Sequence, residues 1–155
     1  MQAYIKRSPG AFQLTDHTGC LAAARRSRGI WQIQGGGCTY CARAEGTGTN
    51  RRYVLLENGR AAASAVPVFG RAPALLPPRA VSMAVAIDWG EYLVLRRPDC
   101  GADILQDGRP AGGVSPFFSL RPQRIDWKGP QPPAFLAGLY ALITYMMQED
   151  DVDLI

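Results

Sequence analysis

Two cysteines separated by two residues are the clearest candidate for chemistry in this chain of 155 residues. Cys38 and Cys41 lie in the stretch GGGCTYC, and zinc knuckles and thiol redox pairs use this spacing. A structural zinc site usually has four ligands, and Cys20, Cys100 and His17 form no second close pair. A redox pair needs a helix directly after the motif, and the following CARAEGTGT is too short and glycine-rich for one. A small metal- or thiol-dependent protein that uses Cys38 and Cys41 therefore stays open as the alternative function.

Other catalytic signatures are missing from the sequence. His17 is the only histidine and lies in the turn sequence DHTG, where an exposed polar residue is expected, so it is a poor candidate for a Ser-His-Asp triad. The chain has neither a G-x-S-x-G nucleophile elbow nor a G-x-x-x-x-G-K-[ST] phosphate loop. Gly35, Gly36 and Gly37 precede no predicted helix, so they indicate the bend of a hairpin. These observations predict a protein that is not an enzyme and that carries no cofactor.

Arginine clusters are the second candidate for a binding site. The chain has 17 Lys and Arg residues against 13 Asp and Glu residues, a net charge of +4. The clusters consist of Arg25, Arg26 and Arg28, of Arg51 and Arg52, and of Arg96 and Arg97. If their strands lie near one another, they form one anion-binding patch; the alternative, which the strand pattern favours, is positive charge dispersed over the surface. Because neighbouring residues of a strand point to opposite faces, one arginine of each adjacent pair needs a partner or a position at the rim.

The acidic residues are distributed unevenly. Glu149, Asp150, Asp151 and Asp153 lie in the last seven residues, so the rest of the chain is strongly basic. A basic body attracts anionic lipid surfaces and other phosphate-rich partners. Nucleic acid is not favoured, because Trp31 lies in an alternating strand pattern typical of core residues rather than exposed stacking residues. We therefore predict a binding or scaffold protein that recognises anionic lipid head groups or another protein.

Short β-strands must position these residues, because turn signals recur every 8 to 12 residues along most of the chain. Asn58-Gly59 and Asp107-Gly108 are typical of type I′ hairpin turns, in which both central residues have positive φ. Four prolines predict a loop or an irregular edge over residues 67–79. A last strand pair is predicted from Phe117 to Trp127. The total is about 10–12 strands.

One hydrophobic helix is predicted after these strands. The stretch AFLAGLYALITYMM is apolar or small at every position except Thr144, and a helix that is apolar on all sides is buried on all sides. Its fourteen residues span about 21 Å, which is less than the roughly 30 Å of a bilayer core. The sequence thus predicts one all-β domain (β-rich α+β) over residues 1–155. It is an antiparallel barrel that encloses a helix over about 133–148, with an acidic tail over 149–155.

The expected location follows from the same patterns. The N-terminal stretch MQAYIKRSPGAFQL lacks the apolar core of a signal peptide, and the sequence has no run of 18 apolar residues. We expect a cytoplasmic protein without a transmembrane segment. If an anionic lipid surface is its ligand, it is peripheral to the membrane.

Three stretches also resemble a known family: FQLTDHTGC, ADILQDGRPAGGVS and PAFLAGLYALITYMM. Their layout is similar to the tubby C-terminal-like fold, including its phospholipid-scramblase and LURP-one-related branch and small bacterial members. The resemblance implies a β-meander wound into a barrel around one hydrophobic C-terminal helix. It also implies a binding or membrane-associated role rather than catalysis. Tubby domains bind phosphoinositide head groups through a basic surface, but no motif here matches that site, so no residue is carried over.

Overall fold

The computed structural model describes residues 1–47, 50–70 and 79–152, and for residues 148–152 it describes the backbone alone. The described residues form a closed antiparallel barrel of twelve strands, followed by one α-helix. The elements are β1 Gln2–Ser8, β2 Ala11–Asp16, β3 Gly19–Ser27, β4 Ile30–Gly35, β5 Cys38–Glu45, β6 Arg52–Glu57, β7 Arg60–Phe69, β8 Ala80–Ile87, β9 Gly90–Arg96, β10 Ala102–Gln106, β11 Arg109–Val114, β12 Gln123–Trp127 and α1 Pro133–Val152.

Each strand pairs with the next one along the chain, and β1 closes the barrel by pairing with β12. Closure pairs every strand on both sides and so removes exposed sheet edges. The predicted hairpin turns have the expected backbone: φ is 51° at Asn58 and 51° at Asp107, and both following glycines also have positive φ. Gly36 and Gly37, with φ of 58° and 79°, make the bend between β4 and β5. The triple glycine is therefore part of a hairpin, as the sequence indicates.

The interior of the barrel holds α1. Along β4 the side chains of Trp31 and Ile33 are buried and those of their neighbours are not, which is the alternation of a strand that lines a core. Every residue of α1 from 134 to 147 is buried. Thr144, its one polar side chain in this range, donates a hydrogen bond to the carbonyl oxygen of Ala141 at 2.6 Å. The prediction of a barrel that encloses one hydrophobic helix is confirmed.

A close contact between α1 and β6 depends on a glycine. A Cβ atom at Gly138 would lie 2.7 Å from each of the two terminal methyl carbons of Leu55. Two carbon atoms normally approach to about 3.5–4.0 Å, so the helix reaches this position only because residue 138 has no side chain. Leu55 is fully buried there.

Two strand predictions need correction. The loop or irregular edge predicted over residues 67–79 is strand at its start, because β7 continues through Phe69 and pairs Pro67 with Met83 of β8, with a register shift between Val68 and Phe69. Proline is tolerated there since Pro67 lies beyond Ala65, the last residue of β7 that pairs with β6. Residues 71–78 of that predicted loop lie outside the described part of the chain.

The second error concerns the last strand pair. Residues 115–122 form a loop, and only β12 is extended in the range predicted from Phe117 to Trp127. Pro116 and Pro122 bracket this segment, and neither has the backbone N–H that could donate to a strand ladder.

The helix is also longer than predicted. It ends at Val152 rather than near residue 148, so residues 149–152 of the predicted tail are helical. Polar residues alone do not end a helix, and this segment contains neither the glycine nor the proline that commonly does. Residues 153–155 lie outside the described part.

Candidate functional site

The two ends of the barrel differ because α1 runs through it lengthwise. The helix follows β12 and enters at the end where β12 finishes. We call this the entry end, and the opposite end, where the helix leaves, the exit end. Since the strands are antiparallel, every second connection lies at the exit end: those after β1, β3, β5, β7, β9 and β11. Residues far apart in sequence therefore meet there.

Positive charge is concentrated at the exit end. Among the residues that the structure describes, the cationic ones on the strand ends and connections there are Lys6, Arg7, Arg25, Arg26, Arg28, Arg43, Arg51, Arg52, Arg79, Arg96, Arg97, Arg121 and Arg124. The carboxylates that the described side chains place at this end are Glu45, Asp99 and Asp103. The entry end has the opposite balance, with Arg60, Arg109 and Lys128 against Asp16, Glu57, Asp88, Glu91, Asp107 and Asp126. The barrel is thus strongly polarised along its axis.

Glu45 already has partners at the exit end. Its two carboxylate oxygens lie 2.9 Å from Arg43 Nη2 and 2.8 Å from Arg52 Nη2. Hydrogen bonds from Arg52 and then Arg43 hold the pKa of Glu45 below its usual value. This carboxylate is therefore committed to two arginines and stays ionised at neutral pH.

The other two carboxylates share one arginine. Arg97 lies 3.2 Å from Asp99 and 3.1 Å from Asp103. The pKa of Asp99 is lowered mainly by a hydrogen bond from the backbone N–H of Gly101, and Arg97 lowers it further. All three described carboxylates of the exit end thus have arginine partners. In contrast, Lys6, Arg7, Arg25, Arg28 and Arg121 form no ion pair within the residues described.

The adjacent arginines of the predicted site point to different faces. Arg25 is exposed, whereas the guanidinium carbon of Arg26 lies 6.0 Å from the ring centroid of Trp31 and 5.7 Å from that of Tyr145. Burial raises the pKa of Tyr145 to about 12, although Arg26 opposes this rise. The phenol of Tyr145 is therefore neutral at physiological pH. The Arg26 guanidinium lies over its ring in a cation–π contact.

The second and third clusters follow the same rule. Arg52 is exposed and Arg51 is half-buried. Arg96 turns inward and donates hydrogen bonds to the sulfur of Met147 at 3.1 Å and to its carbonyl oxygen at 3.2 Å. Together with Arg97, all seven predicted arginines lie at the exit end, distributed around its rim rather than gathered at one point.

A loop at the exit end exposes two large apolar side chains. Within residues 115–122, Phe118 is 80% exposed and Leu120 is fully exposed. Phe117 points the other way and stacks on Tyr140, with ring centroids 5.6 Å apart and an interplanar angle of 5°. Its backbone N–H also donates a hydrogen bond to the carbonyl oxygen of Cys100 at 3.2 Å. The barrel thus anchors the loop near its beginning, at Phe117, while Phe118 and Leu120 face solvent.

An open cleft of about 520 Å³ adjoins this loop. Tyr4, Ser115, Ser119, Arg121 and Arg124 line it, with two prolines. The Ser115 hydroxyl accepts a hydrogen bond from the Arg124 backbone at 2.7 Å, and the Ser119 hydroxyl accepts one from the Arg121 backbone at 3.1 Å. Because a hydroxyl accepts through its lone pairs, each serine can still donate its own hydrogen. The cleft therefore presents two guanidinium groups and two hydroxyl donors.

The two cysteines of GGGCTYC do not meet. Cys38 packs against the barrel core, on the same inward face of β5 as the buried Tyr40 and Ala42. Cys41 faces outward, and its sulfur lies 3.9 Å from the side-chain nitrogen of Gln32. Their spacing of three residues places them on opposite faces of one strand. His17 is exposed in the β2–β3 turn. Among the residues described, no three His, Cys, Asp or Glu side chains are placed to hold a metal ion.

A second cavity, of about 320 Å³, lies at the entry end. Tyr40, Trp89 and Phe135 line it together with charged groups of both signs, among them Asp88 and Arg60. Burial raises the pKa of Tyr40 to about 12, and the charge of a neighbouring carboxylate adds to this rise. The charges of this cavity are mixed, whereas those of the exit end are mainly positive.

Comparison of the chain with protein-family models, with curated protein sequences and with solved structures returned no match. The resemblance to the tubby-like layout therefore stays a prediction. Within the part of the chain that the structure describes, no helix has the length and apolar character needed to cross a membrane.

Sequence reasoning missed Phe118 and Leu120. Residues 117–127 were interpreted as paired strands, in which such side chains would be buried. The available signal was the pair of prolines at 116 and 122, which isolates the apolar residues of SPFFSLRP from any ladder.

Proposed function

We propose that this protein is a non-enzymatic, peripheral binding protein whose exit end docks on an anionic lipid surface. The observation that carries the proposal is the charge distribution at that end. Cationic side chains surround the barrel mouth, and the described carboxylates there are already paired with Arg43, Arg52 and Arg97. The cations available to an external ligand are those that form no ion pair within the residues described: Lys6, Arg7, Arg25, Arg28 and Arg121.

The arrangement favours an extended ligand over a small one. Lys6 is exposed near the end of β1, and Arg25 and Arg28 are exposed near the end of β3 and just after it. Arg121 lies on the connection between β11 and β12. A single small anion contacts only one such group of cations, whereas a charged surface faces all of them together. Near an anionic membrane each cation contributes about 1 kcal/mol to binding, so several together support reversible association. The cytoplasmic leaflet is the surface on which anionic lipids are concentrated.

Two triple variants with the same net charge test this proposal. The exit-end variant is Lys6→Gln, Arg25→Gln and Arg28→Gln. The matched control is Arg60→Gln, Arg109→Gln and Lys128→Gln at the entry end. All six side chains are exposed. Binding is measured by co-sedimentation with vesicles of phosphatidylcholine alone and of phosphatidylcholine mixed with phosphatidylserine.

We expect the wild-type protein and the control to bind the anionic vesicles and to ignore the neutral ones. The exit-end variant should bind roughly 100-fold more weakly, since it loses three charges of about 1 kcal/mol each. Equal losses in both variants would mean that net charge alone determines binding, which contradicts a site at the exit end. A wild-type protein that ignores the vesicles but binds DNA or an acidic protein would overturn the lipid surface as the ligand.

A further inference from the structure

We infer that residues 115–122 form a membrane-insertion loop, which places Phe118 and Leu120 among the acyl chains while the adjoining cleft holds a lipid phosphate. The inference rests on the proposed function, because the exit end must first face the bilayer. It adds an apolar contribution and a head-group position to what would otherwise be attraction by charge alone.

The exposure of the two apolar side chains is the first step of the argument. Phe118 is 80% exposed and Leu120 is fully exposed, so neither contributes to the core of this chain. Single apolar residues on a surface are ordinary. These two lie on one short connection, at the end of the barrel that also has the greatest positive charge. Apolar side chains next to cationic groups are what a protein needs to enter an anionic interface.

The loop is also held in a fixed position on the barrel. Phe117 stacks on Tyr140 of α1, and the Arg7 guanidinium carbon lies 5.6 Å from the centroid of the Phe117 ring. Phe117 therefore anchors the segment to the helix while Phe118 faces solvent. A loop that is anchored before binding loses less conformational entropy when it inserts.

The cleft beside the loop has the chemistry of a phosphate site. Arg121 has no carboxylate partner among the described residues, and Arg124 lies 3.3 Å from Asp126. Guanidinium groups bind phosphate through two parallel hydrogen bonds, and the hydroxyl groups of Ser115 and Ser119 add donors. If Phe118 and Leu120 enter the acyl region, Arg121 lies next to Leu120 in the chain and so falls at the level of the head groups.

The first experiment removes the apolar side chains. Phe118→Ser with Leu120→Ser is compared with Leu93→Thr, since Leu93 is partly exposed and faces outward in the middle of β9. Partitioning onto phosphatidylserine-containing vesicles is measured at several salt concentrations. We expect the loop variant to bind about 10- to 100-fold more weakly, because it loses the burial of two large apolar groups. The dependence of its binding on salt should match that of the wild type, and the Leu93→Thr control should bind as the wild type does.

The second experiment locates the loop directly. Phe118→Trp is added to vesicles with brominated acyl chains, and its fluorescence quenching is compared with that of the wild type. Two native tryptophans, Trp31 and Trp127, are buried in the barrel, and Trp89 lies at the entry end. Additional quenching in the variant shows insertion, and quenching equal to the wild type overturns it.

These results separate the inference from the proposal beneath it. If the loop variant binds as tightly as the wild type while the exit-end charge variant does not bind, insertion is wrong and the anionic-surface function stands. If the wild-type protein binds no anionic vesicle, both are wrong.

A third experiment tests the phosphate site. Arg121→Gln should weaken vesicle binding by about tenfold, and soluble glycerophosphoserine should compete poorly with vesicles because it has no acyl chains. If the soluble head group saturates the wild-type protein but not Arg121→Gln, and vesicles bind no better than this head group, the cleft takes a free phosphate ester and the lipid assignment is overturned.

Discussion

Gly138→Ala tests whether α1 is pressed against the barrel wall as the structure shows. In the interior of an ordinary helix this change stabilises by about 1 kcal/mol, because alanine is the better helix former. Here the new methyl carbon would lie 2.7 Å from both terminal methyl carbons of Leu55, about 1 Å closer than normal contact. Overpacking of this kind costs about 1–3 kcal/mol. Since the cost exceeds the gain, we expect a net destabilisation of about 1 kcal/mol.

A second background makes this prediction specific. Leu55→Ala alone should cost about 2–5 kcal/mol, because it leaves a cavity beside the helix. When Gly138→Ala is added to Leu55→Ala, the overlap is gone and the helix preference of alanine remains. The same change should then stabilise by about 1 kcal/mol, which gives a coupling of about 2 kcal/mol between the two positions. The sign of the effect thus reverses with the residue at position 55.

Urea unfolding of the four proteins measures these differences, provided that the denaturant slope is the same in all four. If Gly138→Ala stabilises both backgrounds by the same amount, the two sites are independent. That result would refute close packing of α1 on β6 at this position and, with it, the enclosed helix that separates the entry end from the exit end.

Three further predictions concern the rest of the molecule. Deletion of residues 149–155 removes Glu149, Asp150, Asp151 and Asp153 and makes the chain more basic, so anionic vesicles should bind about tenfold more tightly; weaker binding would mean that this segment attracts the ligand. Because burial raises the pKa of Tyr145 from 10.0 to about 12, stability should be constant up to pH 10 and fall between pH 10 and 12, as the unfolded chain loses the proton first. Tyr145→Phe should lessen this fall in urea unfolding measured across that pH range, whereas an unchanged profile would exclude Tyr145 as a cause. Finally, Cys38→Ser with Cys41→Ser should leave vesicle binding and the metal content of the purified protein unchanged. If the variant instead lost a stoichiometric zinc ion that the wild type holds, the alternative function as a metal protein would be supported.

The strands and hairpins could be predicted from the sequence because their signals are local. Asn58-Gly59 and Asp107-Gly108 favour positive φ through their own residue types, and alternation along β4 identifies its buried face from a few residues. The loop at residues 115–122 could not be predicted as reliably. Its apolar residues are also typical of a strand. The exposure of Phe118 becomes visible only in the folded barrel, in which residues 115–122 connect β11 and β12.

The sequence by itself determined the enclosed helix. AFLAGLYALITYMM has no polar face, so any stable fold must surround it, and a barrel of many short strands is the shape that does so. Only the tertiary structure decided where the charges meet. Arg25, Arg51 and Arg97 are distant in the chain, and each lies at or beside a turn. They share one end because antiparallel strands return every second turn to the same end of the barrel. That arrangement depends on how all the strands pair in the closed barrel, and no local stretch of sequence specifies it.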